Sequence, residues 1–219
     1  MMQTVIWDWN GTIVNDAPYS WRIFNKIAES RGIRPLSFNQ YQSIYGHPIK
    51  DMWERGGFDF SSEPFELVTQ EWHDLYLQDA MTIQLHEDAC FVLHELRARK
   101  ITQAVLSALP HHILIDSVRQ HGLVDYFHEV SGLSDLNGES KVDNGSILLT
   151  QLNCNPKSTI LVGDSSHDAE VATALGIRCV LVDKGYEDSA RLKKNGYPVL
   201  NSLTEVFNHL VDYRSAPCA

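Results

Sequence analysis

The chain has 219 residues, 43% of them hydrophobic, and a formal net charge of −10. That length holds one good-sized domain, or one domain with a smaller insertion, and the apolar share supports a real core. So acidic a protein is a poor match for nonspecific nucleic-acid binding, and an anionic ligand has to be drawn in by a local positive site such as a metal, a lysine or a helix N-terminus.

In chain order, the opening "MMQTVIWDWN" has no basic start and no apolar stretch of signal-peptide length. Within it, "TVIW" (4–7) reads as a buried strand. Residues 16–83 then carry no strong strand signal. They hold amphipathic helical segments at 18–32 and 63–78, separated by "YGHPIKDMWERGG" (45–57), and look like a helical unit inserted after the first strand. Strand signals resume with "ITQAVLS" (101–107), a weaker "YFHEVSG" (126–132), "STILVGD" (158–164), "RCVLVD" (178–183) and a weaker "YPVLNS" (197–202). Helical patterns at 110–122 and 167–176 lie between them, and "YRSAPCA" closes the chain as a tail expected to fray. Strand–helix alternation of this kind predicts a doubly wound α/β sheet, here residues 1–15 and 84–219, interrupted by a helical domain over 16–83. The hinges fall near Asn15–Asp16 and Thr82–Leu85. Cys90, Cys154, Cys179 and Cys218 show no CxxC spacing. With no window long enough to span a membrane, a soluble protein with free thiols in the cytoplasm is expected.

In open α/β sheets, ligands bind beyond the carboxyl ends of the strands. There the first strand delivers Asp8 and Asn10, the second Ser107, and "STILVGD" Asp164, with Asp168 one turn on. Lys141 precedes the helix that leads back to that strand. Each residue alone reads as a cap, a turn former or a solvated charge. As an ordered set of carboxylates, hydroxyl and lysine at one edge, they read as a site.

That set, carried by "DWNGT", "VLSALP", "ESKVDNG" and "GDSSHD", resembles the haloacid dehalogenase superfamily of phosphohydrolases. The helical insert resembles the cap of its phosphoglycolate-phosphatase-like members, with "GHPIKDMW" similar to the loop that closes over substrate. The resemblance implies a Rossmann-like core and hydrolysis of a small phosphorylated metabolite through an aspartyl phosphate on Asp8. It implies Mg²⁺ as cofactor, held among Asp8, Asp164, Asp168 and the backbone carbonyl of Asn10. Ser107 and Lys141 are the implied phosphoryl-stabilising residues. Gly11, Thr12, Ser107, Ala108 and, from the cap, Lys50 are the implied substrate contacts. Asp168 is implied to position Lys141 or a metal-bound water.

Asn10 departs from the family pattern, because an Asp there serves as general acid and then base, and an amide cannot titrate. The backbone carbonyl is unaffected, so metal and phosphate binding are expected to persist while proton transfer is impaired. General acid–base catalysis contributes roughly 10²–10⁴-fold. Two alternatives stay open. Phosphonoacetaldehyde hydrolases carry a similar loop with a nontitrating residue at this place and use a cap lysine, for which Lys50 is the candidate. The third reading is a phosphate-binding module with little turnover. His111–His112 are expected on a helix surface and Trp7 in the core; Trp9 could line the site, and contact of His167 with a metal-bound water is the lesser of its readings.

Overall fold

In the computed structural model, residues 4–133 and 141–215 are described. Six parallel strands, β1 (Thr4–Trp7), β2 (Thr102–Pro110), β3 (Glu129–Leu133), β4 (Thr159–Gly163), β5 (Arg178–Val182) and β6 (Val199–Leu200), form one sheet in the order β3-β2-β1-β4-β5-β6. The helices are α1 (Ala17–Ser30), α2 (Phe38–Ile44), α3 (Ile49–Arg55), α4 (Phe65–Asp79), α5 (Ala89–Ala98), α6 (His111–Gln120), α7 (Lys141–Gln151), α8 (Ser166–Leu175), α9 (Ser189–Leu192) and α10 (Leu203–Ser215).

Side-chain alternation along the strands explains why both sheet faces are covered. Val5, Trp7, Val105, Val162 and Val180 point to one side, where residues of α5, α6 and α10 bury them. Ile6, Ala104, Leu106, Leu161 and Cys179 point to the other, against α7, α8 and α9. The doubly wound α/β sheet is thus present. Between β1 and β2 the chain runs through α1–α4, which pack around an aromatic centre of their own. Phe24 lies 4.8 Å from Trp53, 5.4 Å from Tyr41 and 5.5 Å from Phe58, ring centre to ring centre.

The links into and out of this helical segment run side by side. Asn15 N–H donates to Gln84 O (2.9 Å) and His86 N–H to Ile13 O (3.0 Å), with Val14 bridging Leu85. The aromatic centre and the sheet face share one apolar cluster through Ile13, Val14, Ala17 and Ile83.

Several local expectations shift. The segment 45–57 is not wholly loop, since 49–55 form α3, opened by Pro48 and closed by Gly56. Pro110 ends β2 instead of starting the next helix, after a register irregularity between Leu106 and Pro110. Lys141 is the first residue of α7 and not a loop residue. The tail residues 216–219, Cys218 with them, lie outside the described residues, as do 134–140, which contain the first two residues of "ESKVDNG".

Candidate active site

β1 lies between β2 and β4, so the strand order reverses around its carboxyl end. Chains leaving neighbouring strands in opposite directions open a crevice there. Asp8 leaves β1, Ser107 sits near the end of β2, and Asp164 follows β4 directly. One carboxylate oxygen from each of Asp8, Asp164 and Asp168 lies within 4.8 Å of the others, and all three groups are buried.

Lys141 reaches into this cluster from the start of α7. Its Nζ donates to Asp8 Oδ1 (2.5 Å) and Asp168 Oδ1 (2.6 Å). The other oxygen of Asp168 accepts from Ser165 N–H (3.1 Å) and Ser165 Oγ–H (2.7 Å), closing a capping box at the start of α8. Asp168 therefore caps its own helix and anchors the lysine at once. The Thr12 hydroxyl, fully buried, lies 3.1 Å from Asp164 Oδ1 and 3.4 Å from Asp8 Oδ2. Tyr186 N–H donates to Asp164 Oδ2 (2.7 Å). Two glycines let the loops close over Asp164: a Cβ at Gly11, whose φ is +76°, would lie 2.3 Å from its Oδ2, and one at Gly185 would lie 2.0 Å away.

Three buried carboxylates face one ammonium. Burial and the neighbouring carboxylates Asp8 and Asp168 push Asp164 well above the ordinary carboxylate range. Burial raises Asp8 to about 7, with Asp168 adding to the shift and Lys141 opposing it. Burial opposes the Lys141 charge, but the two aspartates hold the ammonium above its usual range. Asp168, with Lys141 against it, is held low despite its burial. An oxygen-only donor set with excess negative charge fits a hard divalent cation such as Mg²⁺. Asp8, Asp164 and Asp168 offer the carboxylate oxygens that would hold it, Asp168 being bonded to Lys141 and Ser165 as well.

Asn10 is tied into a second network. Its amide donates to Asp16 Oδ2 (2.5 Å) and to the Tyr76 hydroxyl (2.9 Å). Asp16, fully buried, also accepts from Gly11 N–H (2.7 Å), Tyr76 (2.8 Å) and Tyr186 (2.7 Å). Burial pushes the Asp16 pKa up and these donors pull it down. Sequence reasoning missed Asp16, because an Asp before a helix reads as a cap; here it heads α1 without capping it by its side chain. Tyr186 had a usable signal, the polar loop following β5 at the same sheet edge.

Above the carboxylates is a cleft of about 240 Å³. Its floor includes Asp8, Asn10, Ser107, Ala108, Lys141, Asp164 and Asp168, so the structure brings these expected residues together. Gly11 and Thr12 lie beneath the floor and do not line the cleft. Lys50 is not brought in: it is exposed, with its ammonium 5.9 Å from the Phe60 ring centre. Trp9 is not at the wall either. It is fully buried and donates to Ser117 Oγ (3.0 Å), while Trp7 is in the core as expected and donates to Gln103 Oε1 (3.1 Å). His167 lines the cleft in the first turn of α8, stacked on His47 with ring centres 4.2 Å apart. His111 and His112 are exposed.

A carboxylate–lysine centre at the switch point of a doubly wound sheet, roofed by inserted helices, defines a hydrolase of the phosphatase kind. The family model described as "Haloacid dehalogenase-like hydrolase" matches residues 5–182, and the chain belongs to that family. It is 24% identical over 190 residues to a phosphoglycolate phosphatase of Rhodobacter capsulatus, covering 85% of this chain and 86% of that one. It is 28% identical over 205 residues to the tyrosine-protein kinase PtkA of Mycobacterium tuberculosis, covering 93% and 70%. A haloacid dehalogenase-like hydrolase from Streptococcus pneumoniae has the same fold, with a TM-score of 0.81, 17% identity and coverage of 95% and 98%. Among the described residues no helix is long and apolar enough to cross a membrane.

Proposed function

We propose that the chain is a Mg²⁺-dependent phosphomonoester hydrolase of small phosphorylated metabolites, with residues 16–83 as its cap. The observation that carries this reading is the convergence of Asp8, Asp164 and Asp168 at the floor of the cleft, with Lys141 bonded to Asp8 and Asp168. The relatives named phosphoglycolate phosphatase support it. The exposed position of Lys50 gives the phosphonate-hydrolase alternative no support.

Asp8 is the nucleophile. Lys141 orients its carboxylate through Oδ1 and is itself held by Asp168. An Asp8 oxygen forms a bond to phosphorus as the ester P–O bond breaks, and the leaving oxygen departs with the electron pair. Water then attacks phosphorus, releasing phosphate and regenerating the carboxylate. Ser107 and the chain at Ala108 border the phosphoryl position. Lys141 offsets its negative charge. A bound Mg²⁺ supplies electrophilic stabilisation of the phosphoryl oxygens. Asn10 cannot donate a proton as an acid does, so the leaving oxygen takes its proton from solvent. The free thiols Cys90, Cys154 and Cys179 support a reducing, cytoplasmic setting.

The test is phosphate release from phosphoglycolate and p-nitrophenyl phosphate, with Mg²⁺ and with chelator. Release should require the metal and vanish in Asp8→Asn. No release from either ester in Mg²⁺ would leave a phosphate-binding module instead of an enzyme.

A further inference from the structure

We infer that the preferred substrates of this site are phosphate esters of phenols, compounds that bring a flat ring and a stable leaving oxygen together. The inference rests on the phosphohydrolase reading and narrows it. Two observations point the same way. The first is the wall of the cleft, built from Tyr41, Tyr45, Ile49, Met52, Trp53 and Trp72 on the α2–α4 side. Among the described residues, Lys141 is the one lysine or arginine lining the cleft, and it is committed to Asp8 and Asp168.

The nearby cations are turned elsewhere. Arg191 donates to the carbonyls of Ser43 (3.1 Å) and Tyr45 and pairs with Glu187 (3.1 Å). Arg55 donates to Ile44 O (3.0 Å). His47, exposed at the edge of the cleft and stacked on His167, is held below the ordinary imidazole range by partial desolvation, with His167 adding to the effect. Against that wall the carboxylate of a substrate like phosphoglycolate would meet mostly aromatic carbon, with Thr69 and His73 as polar members and no lysine or arginine free to pair with it, a costly desolvation. A ring would meet faces and edges of other rings. The size is also right: an apolar cavity of about 150 Å³ accepts benzene, and this cleft of about 240 Å³ must hold a ring and a phosphoryl group.

The second observation is independent of the wall. Asn10, at the position where the resemblance implies an acid for the leaving oxygen, carries an amide locked onto Asp16 and Tyr76. An alkoxide leaves poorly without an acid. A phenolate does not need one: Asp8 bonds to phosphorus, the P–O(aryl) bond breaks, and the phenolate takes the electron pair and is protonated by water. Loss of the acid and an aromatic wall therefore select the same compounds.

Four esters separate the two effects. Phenyl phosphate has the ring and the good leaving group, benzyl phosphate the ring alone, acetyl phosphate the leaving group alone, and phosphoglycolate neither. With Mg²⁺ present, kcat/KM should be highest for phenyl phosphate and at least about 100-fold lower for phosphoglycolate, the low end of what a general acid is worth. Trp72→Leu should lower phenyl phosphate about tenfold relative to acetyl phosphate, as loss of one stacking and burial contact predicts. In the unmodified enzyme, phenylphosphonate should inhibit at lower concentration than phosphonoacetate. Phosphate release that favours phosphoglycolate, or phosphonoacetate as the tighter inhibitor, overturns the inference and leaves the hydrolase reading standing. No release from any of the four overturns both.

Discussion

Position 10 and position 16 have to be considered as a pair. With an amide at 10 and a carboxylate at 16, the 2.5 Å contact is a donor meeting an acceptor in a part-buried network around the fully buried Asp16. Asn10→Asp, made to restore the acid, would set two carboxyl groups against each other, and one would have to hold a proton. The single variant should lose roughly 1–3 kcal/mol, a fall in Tm of about 3–10 °C for a chain of this size. The exchange Asn10→Asp with Asp16→Asn keeps one donor and one acceptor, and the hydroxyls of Tyr76 and Tyr186 can turn to suit. It should recover most of the stability and raise phosphoglycolate turnover, by at most about 10²–10⁴-fold. Thermal unfolding and phosphate release on both variants check this. A single variant as stable as the parent would show that Asp16 already carries a proton. The departure at Asn10 is legible from its spacing to Asp8. Its compensation at Asp16 is not, because only the fold turns that side chain inward and brings Tyr76 and Tyr186 onto it from distant segments.

The strands were legible because fully buried parallel strands must be short apolar runs; β1, β4 and β5 fall within a residue of their predicted limits. The α2–α3 region was harder, since Tyr41, Met52 and Trp53 are buried by one another and the cleft instead of along one regular stripe. That region also contacts the core. Gln42 donates to Gly185 O (2.8 Å), Tyr45 lies 4.7 Å from Tyr186, and His47 stacks on His167. His47 faces His167, with Lys141 and Asp168 beyond it and the Tyr45 ring on its own side. Its pKa in this closed arrangement lies below the ordinary 6.5, so the open or unfolded form binds the proton more tightly. The contact's contribution is therefore complete above pH 6.5 and declines as pH falls below it. Hydrogen exchange in 38–55, corrected for the intrinsic rate, should speed up between pH 7.5 and 5, and His47→Gln should flatten that dependence. An equal pH response in the variant would assign the change to another group.

Over the whole molecule, the net charge of −10 makes the buried carboxylate cluster a burden on stability before it is an asset to chemistry. Asp164 is buried beside Asp8 and Asp168, and its raised pKa marks a charged form disfavoured in the metal-free fold. Its contacts are a backbone N–H and a hydroxyl, which an Asn carbonyl and amide can both satisfy. Asp164→Asn should therefore raise the Tm of the metal-free protein while abolishing activity, the exchange of stability for function expected at a charged site. Mg²⁺ at about 100 times its Kd should stabilise the parent by roughly 2.7 kcal/mol, or about 5–10 °C in Tm for a domain of this length. In Asp164→Asn that increment should disappear. Scanning calorimetry of both proteins, stripped with chelator and then titrated with Mg²⁺, reads the two effects separately. An undiminished Mg²⁺ shift in the variant would place the ion away from Asp164. A lower metal-free Tm would mean that the bonds from Thr12 and Tyr186 outweigh the repulsion among the carboxylates.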